Sequence, residues 1–146
     1  MKKSQRLTPI ANIAHTKETD ATKALAVLRR TAEERRLKLA ELQQYLREYQ
    51  ARFTQTGQAS ASAAILKDFL RFIAKLNYAI VQQQKLVKAA EQEFNTYKRH
   101  WETIHAKTAA LDKAIERYRG HEISAESARE QKDADEWALR PTEKKP

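Results

Sequence analysis

Residues 66–87 read LKDFLRFIAKLNYAIVQQQKLV, and apolar side chains recur in this stretch at alternating intervals of three and four residues. Leu66, Phe69, Ile73, Leu76 and Ile80 carry the pattern. Spacings of three and four place successive side chains on one face of an α-helix. The stretch therefore predicts a helix that buries a narrow apolar stripe against a second helix.

The same heptad pattern extends in both directions along the chain. In the second segment the a positions are Leu66, Ile73, Ile80, Val87, Phe94, Trp101, Thr108 and Ile115, and the d positions are Phe69, Leu76, Gln83, Ala90, Tyr97, Ile104, Leu111 and Tyr118. In the first segment the a positions are Ala11, Glu18, Leu25, Ala32, Leu39, Leu46 and Phe53, and the d positions are Leu7, Ala14, Ala21, Leu28, Arg35, Leu42 and Tyr49. In the first segment only Glu18 and Arg35 do not suit an apolar seam. Heptads sustained over such a length predict a left-handed coiled coil.

Breaks in this pattern define two helices. Thr8 is predicted to cap the first helix, with Pro9 as the first helical residue. The loop signal is TQTGQAS at 54–60, and Ser60 or Ser62 can cap the second helix. We predict helices at about 9–54 and 62–139, a loop at about 55–61 and a disordered tail at 141–146. A short loop makes the helices antiparallel neighbours. The predicted fold is all-α: one coiled-coil domain over 1–146, a two-helix antiparallel hairpin with a longer C-terminal helix.

The second predicted helix outruns the first by about 45 Å at the helical rise of about 1.5 Å per residue. Its apolar seam ends near Ile115, and Gly120 comes next as a predicted kink or soft point. Residues 113–146 carry eight basic and eight acidic groups. A lone polar helix is marginal in water, so we expect this overhang to become ordered on a partner.

The composition excludes most catalytic classes. The 146 residues include two glycines and no cysteine, which argues against glycine-rich nucleotide loops, thiolate metal sites and cysteine nucleophiles. His100 and His105 lie five residues apart, whereas metal-binding pairs on a helix are three or four apart. We predict no enzymatic activity, no metal and no cofactor. No apolar run suits a signal peptide or a membrane span, which favours a cytoplasmic protein.

The net charge of +9 raises the alternative of nucleic-acid binding. The densest basic cluster includes Arg29, Arg30, Arg35, Arg36 and Lys38, but acidic residues alternate with it and no aromatic residue lies within it to stack on bases. This pattern predicts weak, salt-sensitive binding. A basic coiled-coil scaffold or nucleic-acid-binding protein stays open as an alternative.

Large side chains accumulate beside the seam near the predicted loop. Tyr45 and Phe72 occupy g positions, next to Leu42, Tyr49, Leu76 and Gln83 in the folded hairpin. They either flank a wide seam or form a protein-binding face, because exposed Tyr and Phe in a patch are typical interface anchors.

These residues also carry a resemblance that covers nearly the whole chain. The motifs are Leu28-Arg29-Arg30, Leu42-x-x-Tyr45-x-x-Glu48-Tyr49, Phe69-x-x-Phe72-Ile73-x-x-Leu76-x-x-Ala79-Ile80, Glu116-Arg117 and Glu130-Gln131-Lys132-x-x-Asp135-Glu136-x-Ala138. The chain resembles the FliJ family of the flagellar type III export apparatus in the order and spacing of these motifs and in its total length.

The resemblance implies a coiled coil similar to the central stalk of rotary ATPases, and a role without catalysis. It implies contacts with the export ATPase FliI, its regulator FliH, the cytoplasmic domain of the export-gate protein FlhA, and flagellar export chaperones. A monomer at the inner face of the cell membrane, assisting chaperone recycling, is expected. The equivalent stalk of a virulence-type secretion system shares the architecture and stays open as an alternative.

The resemblance also implies two sets of contact residues. The family's gate-binding patch falls here on Lys38, Leu42, Tyr45, Tyr49, Phe72, Leu76, Ala79 and Gln83. The ATPase-ring-contacting region falls on Glu130, Gln131, Lys132, Asp135 and Glu136. Lys38 stands where the family patch can have Gln, and Gln83 where it can have His, so the polar edges of the patch are expected to differ.

Overall fold

The computed structural model describes residues 1–59 and 62–140 and contains two α-helices in this part of the chain. Helix α1 spans Lys3–Gln58 and helix α2 spans Ala63–Leu139. The predicted all-α fold, a helical hairpin with coiled-coil packing, is confirmed. No helix in the described ranges is long and apolar enough to cross a membrane.

The packing divides the chain into two compact units, and both helices contribute to each. Unit 1 comprises Met1–Asp20 with Glu102–Pro146, and unit 2 comprises Ala21–Trp101. Within each unit the helices run antiparallel, because partners with lower numbers in α1 meet partners with higher numbers in α2. The pairs are Ser4 with Glu122 and His15 with Asp112 in unit 1, and Thr22 with Trp101 and Tyr49 with Phe69 in unit 2.

The heptad positions form the core of both units. Every a and d residue assigned from the sequence is buried or half-buried, whereas most other positions are exposed. The buried apolar residues are Ala11, Ala21, Ala32, Leu76, Ile80, Ala90 and Ile115. Burial of this single stripe stabilises the pair, because each fully buried aliphatic side chain contributes roughly 1.5–3 kcal/mol.

Polar residues interrupt the seam at defined levels. In unit 2 the Gln83 amide Nε2 donates a hydrogen bond to the Arg35 carbonyl at 2.9 Å. In unit 1 Glu18 pairs with His105, and the buried Thr108 hydroxyl donates to the Ile104 carbonyl at 3.0 Å. The Thr108 bond lies within α2, and Gln83 bonds a backbone carbonyl of the kind that every residue of α1 offers, so neither depends on the register. A register shift by one heptad would separate Glu18 from His105, so this side-chain pair specifies the register, which the heptads alone leave open.

Helix α1 begins at Lys3, earlier than the predicted start at about Pro9, which lies inside the helix. The Lys2 N–H donates to Gln5 Oε1 at 3.2 Å, which is half of a capping box. Thr8 is no cap here, because its hydroxyl donates to the Ser4 carbonyl within the helix. Pro9 lacks the N–H that would bond the Gln5 carbonyl, but α1 continues through this position without a break.

The hairpin connection is shorter than the predicted loop at about 55–61. Helix α1 continues to Gln58, so Gly57 lies in its last turn rather than in the loop. Helix α2 begins after Ser62, whose hydroxyl accepts a hydrogen bond from the Ile65 N–H at 3.3 Å as an N-cap does. The predicted tail 141–146, and the loop residues 60 and 61, lie outside the described residues.

The last level of the unit 1 seam is polar. The Ser4 hydroxyl and N–H donate to the Glu122 carboxylate at 2.6 and 3.2 Å, and Ser4 is buried. The hydrogen bond from the Ser4 hydroxyl holds the pKa of Glu122 below its ordinary value. Partial burial opposes this lowering of the pKa, whereas the Ser4 N–H, Lys2 and Arg119 add to it. Every described residue of α2 beyond Glu122 is exposed. The seam therefore ends at Glu122, later than the predicted end near Ile115, and the helix beyond it is about 25 Å long at the rise of about 1.5 Å per residue, shorter than the predicted overhang of about 45 Å.

Gly120 lies in uninterrupted helix, two residues before Glu122, where the seam ends. A Cβ built at Gly120 would meet no atom within 4 Å. The glycine is therefore not required by packing within the chain, and it weakens the helix through the conformational entropy of the unfolded state.

We predict that Gly120→Ala raises the free energy of unfolding by about 1 kcal/mol, the usual difference between Gly and Ala in a helix interior. Urea denaturation followed by circular dichroism measures the change. Gly57→Ala, in the last helical turn and 3.9 Å from Leu66 Cδ2, serves as a comparison with a smaller expected gain. If Gly120→Ala were less stable than the parent protein, position 120 would not be an open, unstrained site in the helix.

We predict that Ser4→Ala raises the pKa of Glu122 toward its ordinary value, because the strongest hydrogen bond to its carboxylate is removed. A carboxylate with a lowered pKa in the folded state stabilises the fold above its unfolded pKa, and this contribution is lost as the pH falls through the folded value. NMR titration of the Glu122 carboxyl carbon measures the pKa. Ser4→Thr keeps the hydroxyl and is the control; an unchanged pKa in Ser4→Ala would refute the assignment.

Candidate protein-binding surface

The two flanks of the helix pair differ in chemistry. The e positions of both helices face each other along one flank, and polar side-chain pairs cross the seam there. Arg36 Nε lies 2.8 Å from Glu91 Oε1 in unit 2, and His15 Nε2 lies 2.9 Å from Asp112 Oδ1 in unit 1. These groups are half-exposed, so each pair adds little stability, but at these two levels the polar groups of the e flank satisfy each other.

The g flank of unit 2 carries large apolar side chains instead. Tyr45 is 55% exposed and Phe72 is 40% exposed. Their neighbours at heptad spacing on α2 are Ile65 and Leu86, which are also exposed. Large apolar groups exposed in a row, beside a flank that is polar, indicate a surface that binds another protein.

An aromatic cluster lies where this g flank meets the seam. The rings of Tyr49 and Phe72 lie 4.3 Å apart between centroids, and Phe69 lies 6.1 Å from Tyr49 and 6.5 Å from Phe53. The Arg52 guanidinium lies 5.4 Å from the Tyr49 ring centroid, within reach of a cation–π contact. Phe72 is therefore positioned by its neighbours while one side of its ring remains open.

The residues of the predicted gate-binding patch occupy three levels of exposure. Lys38, Tyr45 and Phe72 are exposed, and Leu42, Tyr49 and Ala79 are half-buried. Leu76 and Gln83 are buried in the seam, and the Gln83 amide is committed to the Arg35 carbonyl. The structure brings Tyr49 and Phe72 together, whereas Leu76 and Gln83 lie beneath the surface rather than on it.

Ile65 and Leu86 were missed as members of this surface, although a signal for them exists. Ile65 lies one heptad before Phe72, and Leu86 lies one heptad after Ala79. Continuing the g position along α2 finds both. The aromatic side chains are the larger signal at the g positions, and Ile65 and Leu86 extend the same row in both directions.

A second candidate surface is the part of α2 beyond the seam. The predicted ATPase-contacting residues Glu130, Gln131, Lys132, Asp135 and Glu136 all lie there and are exposed. Gln131 Nε2 donates to Asp135 Oδ1 at 3.0 Å within the helix. Trp137, which is 74% exposed, was not among the predicted contacts. An exposed tryptophan on a polar helix is a stronger anchor candidate than its charged neighbours.

The described residues offer no arrangement for metal binding: no group of three or more His, Cys, Asp or Glu among them could hold an ion. In unit 1 an open groove of about 600 Å³ runs past Ala11, Ile115 and Ile123 beside Gly120. A groove open to solvent does not supply the dry environment that tunes a catalytic group.

Comparison with known proteins gives one match. A search of curated proteins and a search of solved structures found no similar protein. The family model described as "Flagellar FliJ protein" matches residues 2–145, essentially the whole chain. The FliJ family is a non-catalytic component of flagellar export. The chain belongs to the FliJ family of flagellar proteins and is a protein of the flagellar export apparatus.

Proposed function

We propose that this protein is the stalk that links the export ATPase ring to the export gate during flagellum assembly. Its partners would be the FliI hexamer, the cytoplasmic domain of FlhA, the regulator FliH and the export chaperones, whose recycling it would assist. It would act on the cytoplasmic side of the membrane at the base of the flagellum. The observation that carries this proposal is the exposed apolar g flank of unit 2 in a member of the FliJ family.

The g flank supports gate binding through its two exposed rings. Burial of an exposed Tyr or Phe in a partner pocket removes apolar area from water and places rigid side chains at the centre of a contact. Tyr45 and Phe72 meet this description, and Lys38 adds a cation at the edge. Because Gln83 is satisfied within the seam, the altered polar edge would reside in Lys38 alone.

The end of α2 supports ATPase binding through its lack of any covering element. Described residues 123–140 are exposed, and the large apolar side chains Trp137 and Leu139 lie among acidic residues near the helix end. An isolated polar helix of this length is marginal in water. Docking in a ring would supply the packing that this segment does not obtain from α1.

We predict that Tyr45→Ala combined with Phe72→Ala lowers the affinity for the gate's cytoplasmic domain by at least tenfold, because both exposed anchors are removed. Isothermal titration with the purified gate domain measures the affinity. The loss of the ring contact with Tyr49 is expected to cost about 1 kcal/mol of stability, so the variant should remain folded.

Leu37→Ala is the matched control, since Leu37 is an exposed apolar residue at an f position of α1, away from both flanks. It should bind the gate domain normally. A double variant that melts far below the parent protein would show that the two rings belong to the core. A folded double variant with unchanged affinity would refute gate binding by the g flank.

We predict that a chain ending after Ser124 no longer copurifies with the export ATPase but still binds the gate domain. The truncation keeps the Ser4–Glu122 contact, so the paired part of unit 1 should stay folded. Trp137→Ala in the full chain should weaken ATPase binding by tenfold or more, as loss of a central aromatic anchor does. Normal ATPase binding by both proteins would exclude this end of α2 as the docking segment.

A further inference from the structure

Helix α2 carries a second exposed apolar row, separate from the seam and from the g flank. Its members are Leu70, Ala74, Tyr78 and Val81, at heptad positions e, b, f and b. All four are exposed, Tyr78 by 69% and Val81 by 46%. Intervals of four, four and three residues align them along one ridge of the helix, over a length of roughly 17 Å. We refer to these four residues as the outer ridge.

The outer ridge makes this part of α2 apolar on three sides. The seam side is buried against α1, the g side carries Phe72, and the outer ridge lies on the far side from Phe72. A helix with apolar residues all round is normally covered on all sides. Tyr78, at an f position, projects away from α1, so the seam leaves it without an apolar neighbour across the helix pair.

The charges around the outer ridge have one sign. Lys67 precedes it at a b position, Arg71 flanks it at an f position, and Lys85 and Lys88 come after it at f and b positions. The single acidic residue between 63 and 90 is Asp68, at a c position, which lies between the outer ridge and the g flank. A partner that covers the outer ridge must place its own charges against these cations.

We propose that the outer ridge docks an acidic amphipathic helix of a partner protein, which packs its apolar stripe on Leu70, Ala74, Tyr78 and Val81 and sets carboxylates against Lys67, Arg71, Lys85 and Lys88. The spacing of the ridge is that of a helix-packing surface, so the partner helix continues the coiled-coil geometry as a third helix. The cations supply attraction and orientation, and the apolar ridge supplies the buried area.

The shape of the ridge favours a helix over an anionic membrane. An interfacial helix inserts a broad apolar face into the bilayer. The broad apolar face of α2 is already buried against α1, and the outer ridge is one side chain wide. Such a ridge fits the groove between side chains of another helix. This docking is independent of the stalk function, since it involves neither the g flank nor the end of α2.

The test uses the full chain and a defined probe. The probe is a synthetic peptide of about four heptads with Leu at a and d and Glu at e and g, whose like charges prevent pairing with itself. Its fluorescence anisotropy is measured on titration with the protein at about 0.15 M salt, where purely electrostatic attraction is screened. The variants are Tyr78→Ser with Val81→Ser, and, as a matched control of equally exposed apolar residues on α1, Val27→Ser with Leu37→Ser.

The expected result is binding of the acidic peptide that weakens at least tenfold in the Tyr78/Val81 variant and is unchanged in the Val27/Leu37 variant. The same peptide with Lys in place of Glu should not bind. Both variants should keep the parent melting temperature, because all four side chains are exposed.

Four outcomes would overturn the proposal. Equal binding by all variants would mean that net charge alone attracts the peptide. Binding lost in Tyr45→Ala but kept in the Tyr78/Val81 variant would place the peptide on the g flank. Binding to anionic phospholipid vesicles that depends on Tyr78 and Val81, without peptide binding, would make the ridge a membrane-contacting face. Self-association that depends on these two residues would make it a contact between copies of the chain.

Discussion

Side-chain pairs that cross the seam align the two helices of unit 2. The Trp101 indole N–H donates to the Thr22 hydroxyl at 2.8 Å, and Arg36 Nε lies 2.8 Å from Glu91 Oε1. Apolar a and d residues bind the helices together but fit equally well after a shift of seven residues, and the Gln83 amide, whose partner is the Arg35 backbone carbonyl, would meet another backbone carbonyl there. A shift would separate the side-chain pairs, so the specificity of alignment comes from them.

The register determines what each flank can do. In unit 2 it brings Arg36 opposite Glu91 on the e flank, so that these charges satisfy each other across the seam. On the g flank it brings the aromatic residues Tyr49 and Phe72 together, and their contact leaves part of the Phe72 ring exposed. A flank whose polar groups pair with each other has little left for a partner, whereas exposed rings can still gain from burial. The asymmetry of the two flanks therefore results from one alignment.

A two-helix pair has consequences for the kind of function it supports. It buries one stripe and leaves the other helical faces of the described residues in water, where their side chains stay available for contacts with other molecules. In unit 1 the contact between Ser4 and Glu122 is the last level of the seam. The rest of α2 continues without packing against α1, so all of its faces are exposed. Exposed apolar anchors on a charged helix are compatible with membership of the FliJ family, a component of flagellar export.

Heptad spacing was enough to predict the helices and their core positions, because it is a local property that α-helical geometry converts directly into a buried stripe. The short loop signal predicted that the two helices pair antiparallel. It also indicated the aromatic face, since Tyr45 and Phe72 lie beside that stripe. The packing of the two helices was needed to establish the register and the start of α1 at Lys3. These features depend on contacts between residues far apart in the chain, such as Ser4 with Glu122, and such contacts leave no periodic signal in the sequence.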